Sequence, residues 1–234
     1  MTNNKEHSKS DSMKNINQYW QQLTPEEISK KFHRQFVGGL WDELGALQFS
    51  FLQSQGLLPQ HKFIDIGCGA LRGGVFFIRY LDRRNYFGLD INTSLIDAGK
   101  IELQKQNLLD KDPTFLIDDK FKVSVFDIKF DYGLAQSVFT HLFSNHIQRC
   151  LTEISKVLSP NGKFFATFFE APYPAYIDTI DQIPGNTITN FDSDPFHYSF
   201  EDMKIMGNYA GLSTSLIGAW GHPRNQKMLC FTLK

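Results

Sequence analysis

The chain has 234 residues, with 24 Lys and Arg against 25 Asp and Glu, so its formal net charge of -1 gives it no global field for gathering nucleic acid or acidic membranes. The length suits one domain with its own core, and no apolar run approaches the roughly 18 residues of a membrane-spanning helix. Cys68, Cys150 and Cys230 have no metal-ligand spacing, and the start MTNNKEHSKSDSMKN lacks the apolar stretch of a secretory signal; both point to a soluble protein of the reducing cytoplasm with no metal.

Met1 to about Gln22 is polar without apolar periodicity and reads as a disordered lead-in. Residues 23–60 read as N-terminal helices. Thr24, Pro25 and Glu27 predict a helix start with a capping box, and Leu40, Leu44, Leu47, Phe51 and Leu52 predict a second helix stopped by Gly56. From about residue 61 to the end, short apolar runs alternate with helical stretches, the pattern of βαβ units around a parallel sheet. Strands are predicted at KFIDI, NYFGLD, TFLI, YGLAQS and KFFATFF, and the clearest helix runs from about Ser144 to Leu158. SPNG reads as the turn into the fifth strand. Residues 170–198, with Pro172, Pro174, Pro184 and Pro195, read as an insertion capping a substrate site, and a helix from about Phe200 to Ala210 and strands at STSLIGA and KMLCFTL close the chain.

KFIDIGCGALRGG is a strand, a glycine turn and a helix start, the setting in which such a turn binds ligands. Gly67 and Gly69 permit close backbone approach, and exposed N–H groups at a helix start favour an anion of any kind. Asp65, two residues before Gly67, would repel a pyrophosphate but accept from an α-ammonium. Asp90 ends the next strand, 25 residues after Asp65, near the spacing at which a carboxylate takes a ribose diol.

On Asp65, Gly67, Gly69 and Asp90 the sequence resembles the class I S-adenosylmethionine-dependent methyltransferases, whose DxGxGxG turn it matches except that Leu71 replaces the third glycine. The resemblance implies a Rossmann-like, doubly wound α/β fold with a mostly parallel seven-stranded sheet, an antiparallel last strand and N-terminal helices over the cofactor. It also implies S-adenosyl-L-methionine as cofactor, with Cys68 and Ile91 beside the four marker residues. FDYGLAQSVFTHL looks like the family's fourth strand and loop, which would bring Gln136, Ser137 and His141 to the cofactor, and GAWGHPRNQKMLCFTLK is similar to the terminal segment of related bacterial enzymes.

Several side chains have two readings. Asp119, beside Asp118, either meets the adenine amino group or belongs to a solvated turn, and Phe121 either stacks on the purine or packs in the core. Arg72 either pairs with the methionine carboxylate or reaches solvent. His141 is either the base that takes an acceptor's proton or a hydrogen-bonded cap, with His197 and His222 as lesser candidates and His222 better placed to brace the final hairpin. Trp41, near Gly38, is either part of a lid or an anchor of its helix. Tyr173, Tyr176 and Phe191 either line an acceptor pocket or pack the insertion.

The expected function is in-line methyl transfer to a small-molecule or glycan-type hydroxyl or amine. A nicotinamide-dependent oxidoreductase is the alternative, although the third glycine of its GxGxxG would fall at Arg72. A non-catalytic S-adenosylmethionine-binding protein is the other.

Overall fold

The computed structural model describes residues 17–172 and 175–234. A 3-10 turn at Gln18–Trp20 leads to α1 (Pro25–Ser29), α2 (Phe32–Phe36) and α3 (Trp41–Ser54). The capping box is formed: Thr24 N donates to Glu27 Oε2 at 2.8 Å, and Glu27 N donates to Thr24 Oγ1 at 3.3 Å. Strands and helices then alternate as β1 (Phe63–Ile66), α4 (Gly74–Tyr80), β2 (Tyr86–Asp90), α5 (Thr93–Lys105), β3 (Thr114–Ile117), β4 (Phe130–Ala135), α6 (Ser144–Val157) and β5 (Leu158–Glu170). The excursion after β5 carries a small hairpin of β6 (Ile180–Gln182) and β7 (Thr187–Thr189), and β8 (His197–Tyr198) returns beside β5. The chain closes with α7 (Phe200–Tyr209), β9 (Leu212–Gly218) and β10 (Lys227–Leu233).

The main sheet runs in the order β3-β2-β1-β4-β5-β10-β9. The pairings among the first five strands are parallel, and β10 is antiparallel to both β5 and β9, so the last strand runs as the family resemblance implied. The short parallel pairing of β8 with β5 is an eighth strand beyond the seven expected. Successive residues of a strand face opposite sides of a sheet, and β1 divides its side chains accordingly. Ile64 and Ile66 pack with Ile147 and Leu151 of α6 and Met203 of α7, while Phe63 packs with Leu52 of α3, Phe77 of α4 and Leu103 of α5. Strands buried on both faces carry no polar alternation, which is why β1 and β2 are apolar apart from Asp65 and Asp90 near their carboxyl ends.

Two expectations are corrected. Residues 17–22 are not part of a disordered lead-in: Asn92 Nδ2 donates to Tyr19 O at 2.9 Å and Gln21 O at 2.7 Å, and Leu23 N donates to Ser94 Oγ at 2.8 Å. Their order comes from hydrogen bonds to the start of α5 rather than from an apolar stripe, so periodicity does not reveal it; residues 1–16 lie outside the described residues. The SPNG segment, Ser159 to Gly162, is absorbed into β5 as an irregularity of register, since Phe130 pairs with Leu158 but Tyr132 pairs with Lys163.

Candidate active site

The carboxyl ends of β1, β2 and β4 meet at one cleft, which encloses about 960 Å³ of atom-free space, part of it open to solvent. Its walls carry Asp65, Gly67, Cys68, Gly69, Arg72, Asp90, Ile91, Gln136, Ser137 and His141, ten of the residues singled out from sequence. A position outside the carboxyl edge of a parallel sheet, between strands whose crossovers go to opposite faces, is where open α/β sheets bind ligands.

The turn after β1 bends by left-handed backbone at Gly67 (φ +66) and Gly69 (φ +54). A β-carbon at Gly67 would lie 2.5 Å from Val138 Cγ2. Leu71, in the place of the third glycine, adopts φ +67 with its side chain fully buried, so the turn keeps a glycine-like course and uses the leucine to pack against α5.

Four of the turn's N–H groups are engaged within the protein. Gly67 N and Cys68 N donate to Leu89 O at 2.7 and 3.1 Å, Gly69 N donates to Asp90 Oδ2 at 2.8 Å, and Leu71 N donates to Cys68 O at 3.0 Å. Charged side chains line the cleft beside them. Asp65, buried at the end of β1, accepts from Tyr86 Oη at 2.7 Å, and its burial pushes its carboxyl up to about 7. Asp90 accepts from Gly69 N and, through Oδ1, from Asn92 N at 2.9 Å; burial pushes it up to about 6 against these hydrogen bonds. Each carboxylate oxygen offers two lone-pair directions, so Asp90 retains acceptor capacity for two hydroxyls.

Arg72 does not reach solvent. It is 8% exposed and donates through Nη1 to Val37 O and Gly39 O, both at 2.9 Å, and through Nη2 to Gln136 Oε1 at 2.8 Å. Burial and nearby Arg224 lower its affinity for a proton to a pKa of about 10. A buried guanidinium whose hydrogen-bond partners are all neutral oxygens has an unmet demand for an anion. Asp65 has the opposite demand, for a cation. One wall of the cleft thus suits the ammonium and carboxylate of a free amino acid, and Asp90 suits a diol beyond it.

Gln136 is the centre of a polar network. Its Oε1 also accepts from Gln48 Nε2 at 3.2 Å, and its Nε2 donates to Ser137 Oγ at 2.5 Å. Ser137 Oγ and Thr167 Oγ1 donate to Gln226 Oε1 at 3.0 and 2.7 Å. His222 Nε2 lies 3.3 Å from the Gln136 amide nitrogen, and its Nδ1 accepts from Arg224 N at 3.1 Å. Burial and the charges of Arg224 and Arg72 hold His222 down to about 3, so it is a neutral brace between the final loop and the cleft.

The other candidates separate. Asp119 is exposed and does not line the cleft; Asp118 Oδ1 accepts from Lys120 N and Lys122 N, so the pair of acids builds a turn, and the neighbour that reaches the cleft wall is Phe121, which also packs against the core. His197 is buried in the insertion, its Nδ1 2.8 Å from Thr189 Oγ1 and its Nε2 donating to Tyr176 O at 2.7 Å. Trp41 is buried against Leu23, Ile28 and Ala98, which makes it an anchor. Tyr176 and Phe191 pack edge to face within the insertion, and Tyr173 lies outside the described residues.

Residues that sequence reasoning missed complete the cleft. Asn17 Nδ2 donates to His141 O at 2.8 Å, and the Tyr19 ring meets the His141 ring edge to face at 4.9 Å between centroids, so the N-terminal strap covers one side. His141 Nδ1 lies 2.5 Å from Asp194 Oδ1 of the insertion. Gln48 was the one with a local signal, a lone amide between Leu44 and Leu52 on the apolar face of α3.

Residues 64–164 match the family model described as a methyltransferase domain. That match makes residues 64–164 a methyltransferase domain, and the solved structures below share its fold. Magnesium protoporphyrin IX methyltransferase from Synechocystis PCC 6803, solved with S-adenosylhomocysteine, superposes with a TM-score of 0.61 at 16% identity over 89% of this chain and 96% of that one. An S-adenosylmethionine-dependent methyltransferase from Clostridium acetobutylicum gives 0.64 at 11% identity over 89% and 98%, and the CcbJ methyltransferase from Streptomyces caelestis gives 0.63 at 12% over 84% and 91%. The paired demands of Asp65 and Arg72 are of the kind that the amino-acid end of S-adenosylmethionine would meet. The oxidoreductase alternative is set aside. Among the described residues, no helix of this methyltransferase is long and apolar enough to cross a membrane.

Proposed function

We propose that this methyltransferase methylates a hydroxyl of a small-molecule or glycan-type acceptor, in the cytoplasm. The observation that carries this reading is that His141 lines the same cleft as Asp65 and Asp90 and has one ring nitrogen committed to a carboxylate. An amine arrives with a lone pair, whereas a hydroxyl must lose its proton as it attacks, and an imidazole at the cleft wall is suited to take it. S-adenosylmethionine, when bound, supplies a methyl group activated by the sulfonium.

In this reading Asp65 accepts from the cofactor's ammonium, Arg72 holds its carboxylate and Asp90 accepts from the ribose hydroxyls. Gly67, Cys68, Gly69 and Ile91 shape the floor, Phe121 flanks the base in place of Asp119, and Gln136 and Ser137 hold the β4 edge. The strap with Asn17 and Tyr19 walls one side of the cleft, and this cover favours a small acceptor over a polymer lying across the surface. Three unpaired thiols, Cys68, Cys150 and Cys230, support a reducing compartment.

The test is label transfer from methyl-labelled S-adenosylmethionine to paired acceptors, phenols and monosaccharides set against their amino analogues. The reading predicts labelled ethers and a His141→Ala loss of about 10²–10⁴ in kcat. Labelling of the amines alone, undiminished in that variant, would refute it.

A further inference from the structure

The insertion after β5 bends back so that Asp194, remote in sequence, lies against His141 at the end of a 3-10 turn that follows β4. Both side chains are mostly buried, with 20% exposure for His141 and 25% for Asp194. The contact joins Asp194 Oδ1 to Nδ1, leaving Nε2 as the ring nitrogen without a carboxylate. The ring is held from a second side by Tyr19, and the backbone oxygen of His141 is held by Asn17. Three segments distant in sequence thus converge on one imidazole at the wall of the cleft.

We propose that Asp194 is the positioning residue of this methyltransferase: it fixes His141 in the tautomer with the proton on Nδ1, so that Nε2 presents a lone pair to the acceptor hydroxyl. This rests on the reading of His141 as the proton acceptor. Nδ1–H donates to the carboxylate, and a neutral imidazole has one N–H, so Nε2 is left as the acceptor. In the transfer the acceptor oxygen forms a bond to the methyl carbon while the sulfur–methyl bond breaks and its electron pair stays on sulfur. The hydroxyl proton passes to Nε2, and the carboxylate of Asp194 stabilises the imidazolium that results. The substrate class follows: an acceptor whose hydroxyl keeps its proton near neutral pH, such as an alcohol or a simple phenol, needs this pair, whereas a carboxylate acceptor does not. The insertion then takes part in the reaction through Asp194.

Tautomers are read directly from two-bond nitrogen–proton correlations in protein labelled with ¹⁵N-histidine, recorded free and with S-adenosylhomocysteine, the His141 signal being assigned by its disappearance in His141→Gln. The wild type should show Nδ1 protonated and Nε2 bare in both states, and Asp194→Asn should shift the population toward the other tautomer with the fold retained by circular dichroism. With a hydroxyl acceptor, Asp194→Asn should lower kcat about 10²-fold with KM little changed, and Asp194→Glu should recover part of it. A wild-type His141 carrying its proton on Nε2 would overturn the proposal without need of any variant, as would an Asp194→Asn spectrum identical to wild type. Because the free protein is measured too, failure of the nucleoside to bind would count against the cofactor assignment and leave the tautomer result standing on its own.

Discussion

Asp65 is a carboxyl that burial has made reluctant to ionise, and the ligand assigned to it brings a positive charge. With its folded value pushed up to about 7, the buried carboxyl retains a proton that the unfolded chain sheds near the ordinary carboxylate range. Its contribution to the stability of the ligand-free fold is present at low pH and is lost as pH rises through about 7. An ammonium beside it favours the carboxylate, so binding below this pH expels a proton, and affinity for S-adenosylhomocysteine should climb by up to about tenfold per pH unit until the carboxyl is ionised. Calorimetry between pH 5 and 8 checks this, and Asp65→Asn should flatten the slope. Gly67→Ala sets a β-carbon 2.5 Å from Val138 Cγ2 at φ +66, and should cost about 1–3 kcal/mol in thermal unfolding, part of it recovered by Val138→Ala. At this scale the sequence was most readable where chemistry is contiguous: Asp65, Gly67, Gly69 and Asp90 stand on consecutive strand ends with a turn between them. Asp194, Tyr19 and Gln226 were illegible because each acquires its role through a partner more than fifty residues away, and nothing in DSDP or NQYW marks that partner.

Among the elements, those with a strong period were placed within a residue or two from sequence: α6 has its stripe of Ile147, Cys150, Leu151 and Ile154, and β3 and β10 begin and end where their apolar runs do. The strap was misread because its order is purchased from outside by Asn92 and Ser94. Asn92 has two tasks, since its Oδ1 accepts from Leu95 N at the start of α5 while its Nδ2 holds the strap. Asn92→Ala should therefore cost about 1–2 kcal/mol as a lost cap and also release residues 17–22 to protease. Limited proteolysis followed by mass spectrometry should find cleavage near Tyr19 and Trp20 faster in the variant, and bound S-adenosylhomocysteine should slow it in the wild type. Another tie, His33 Nε2 and Arg34 to Glu102, fastens α2 to α5 with the histidine fully buried. Glu102→Ala should lower stability by about 2–3 kcal/mol in urea unfolding, because a buried donor loses its charged acceptor.

For the whole molecule, the parallel sheet gathers the ends of β1, β2 and β4 at one edge, the strap and α3 add Asn17, Tyr19 and Gln48 to the cleft, and the final loop and the insertion brace its wall from behind through His222 and Asp194. The fold class followed from the alternation of strands and helices, and the antiparallel β10 from the resemblance. The shape of the cleft did not, because it depends on how far Arg72 reaches and on which side Phe121 turns. The cleft is proposed to bind a sulfur nucleoside through Asp90 and the neighbouring charge pair. Calorimetric titration of the wild type and Asp90→Ala with S-adenosylmethionine, S-adenosylhomocysteine and NAD tests it most directly. Saturable binding of both sulfur nucleosides, none of NAD, and a loss of at least about tenfold in affinity in Asp90→Ala is the predicted result. Binding of NAD without either sulfur nucleoside, or sulfur-nucleoside binding unchanged in Asp90→Ala, would contradict it.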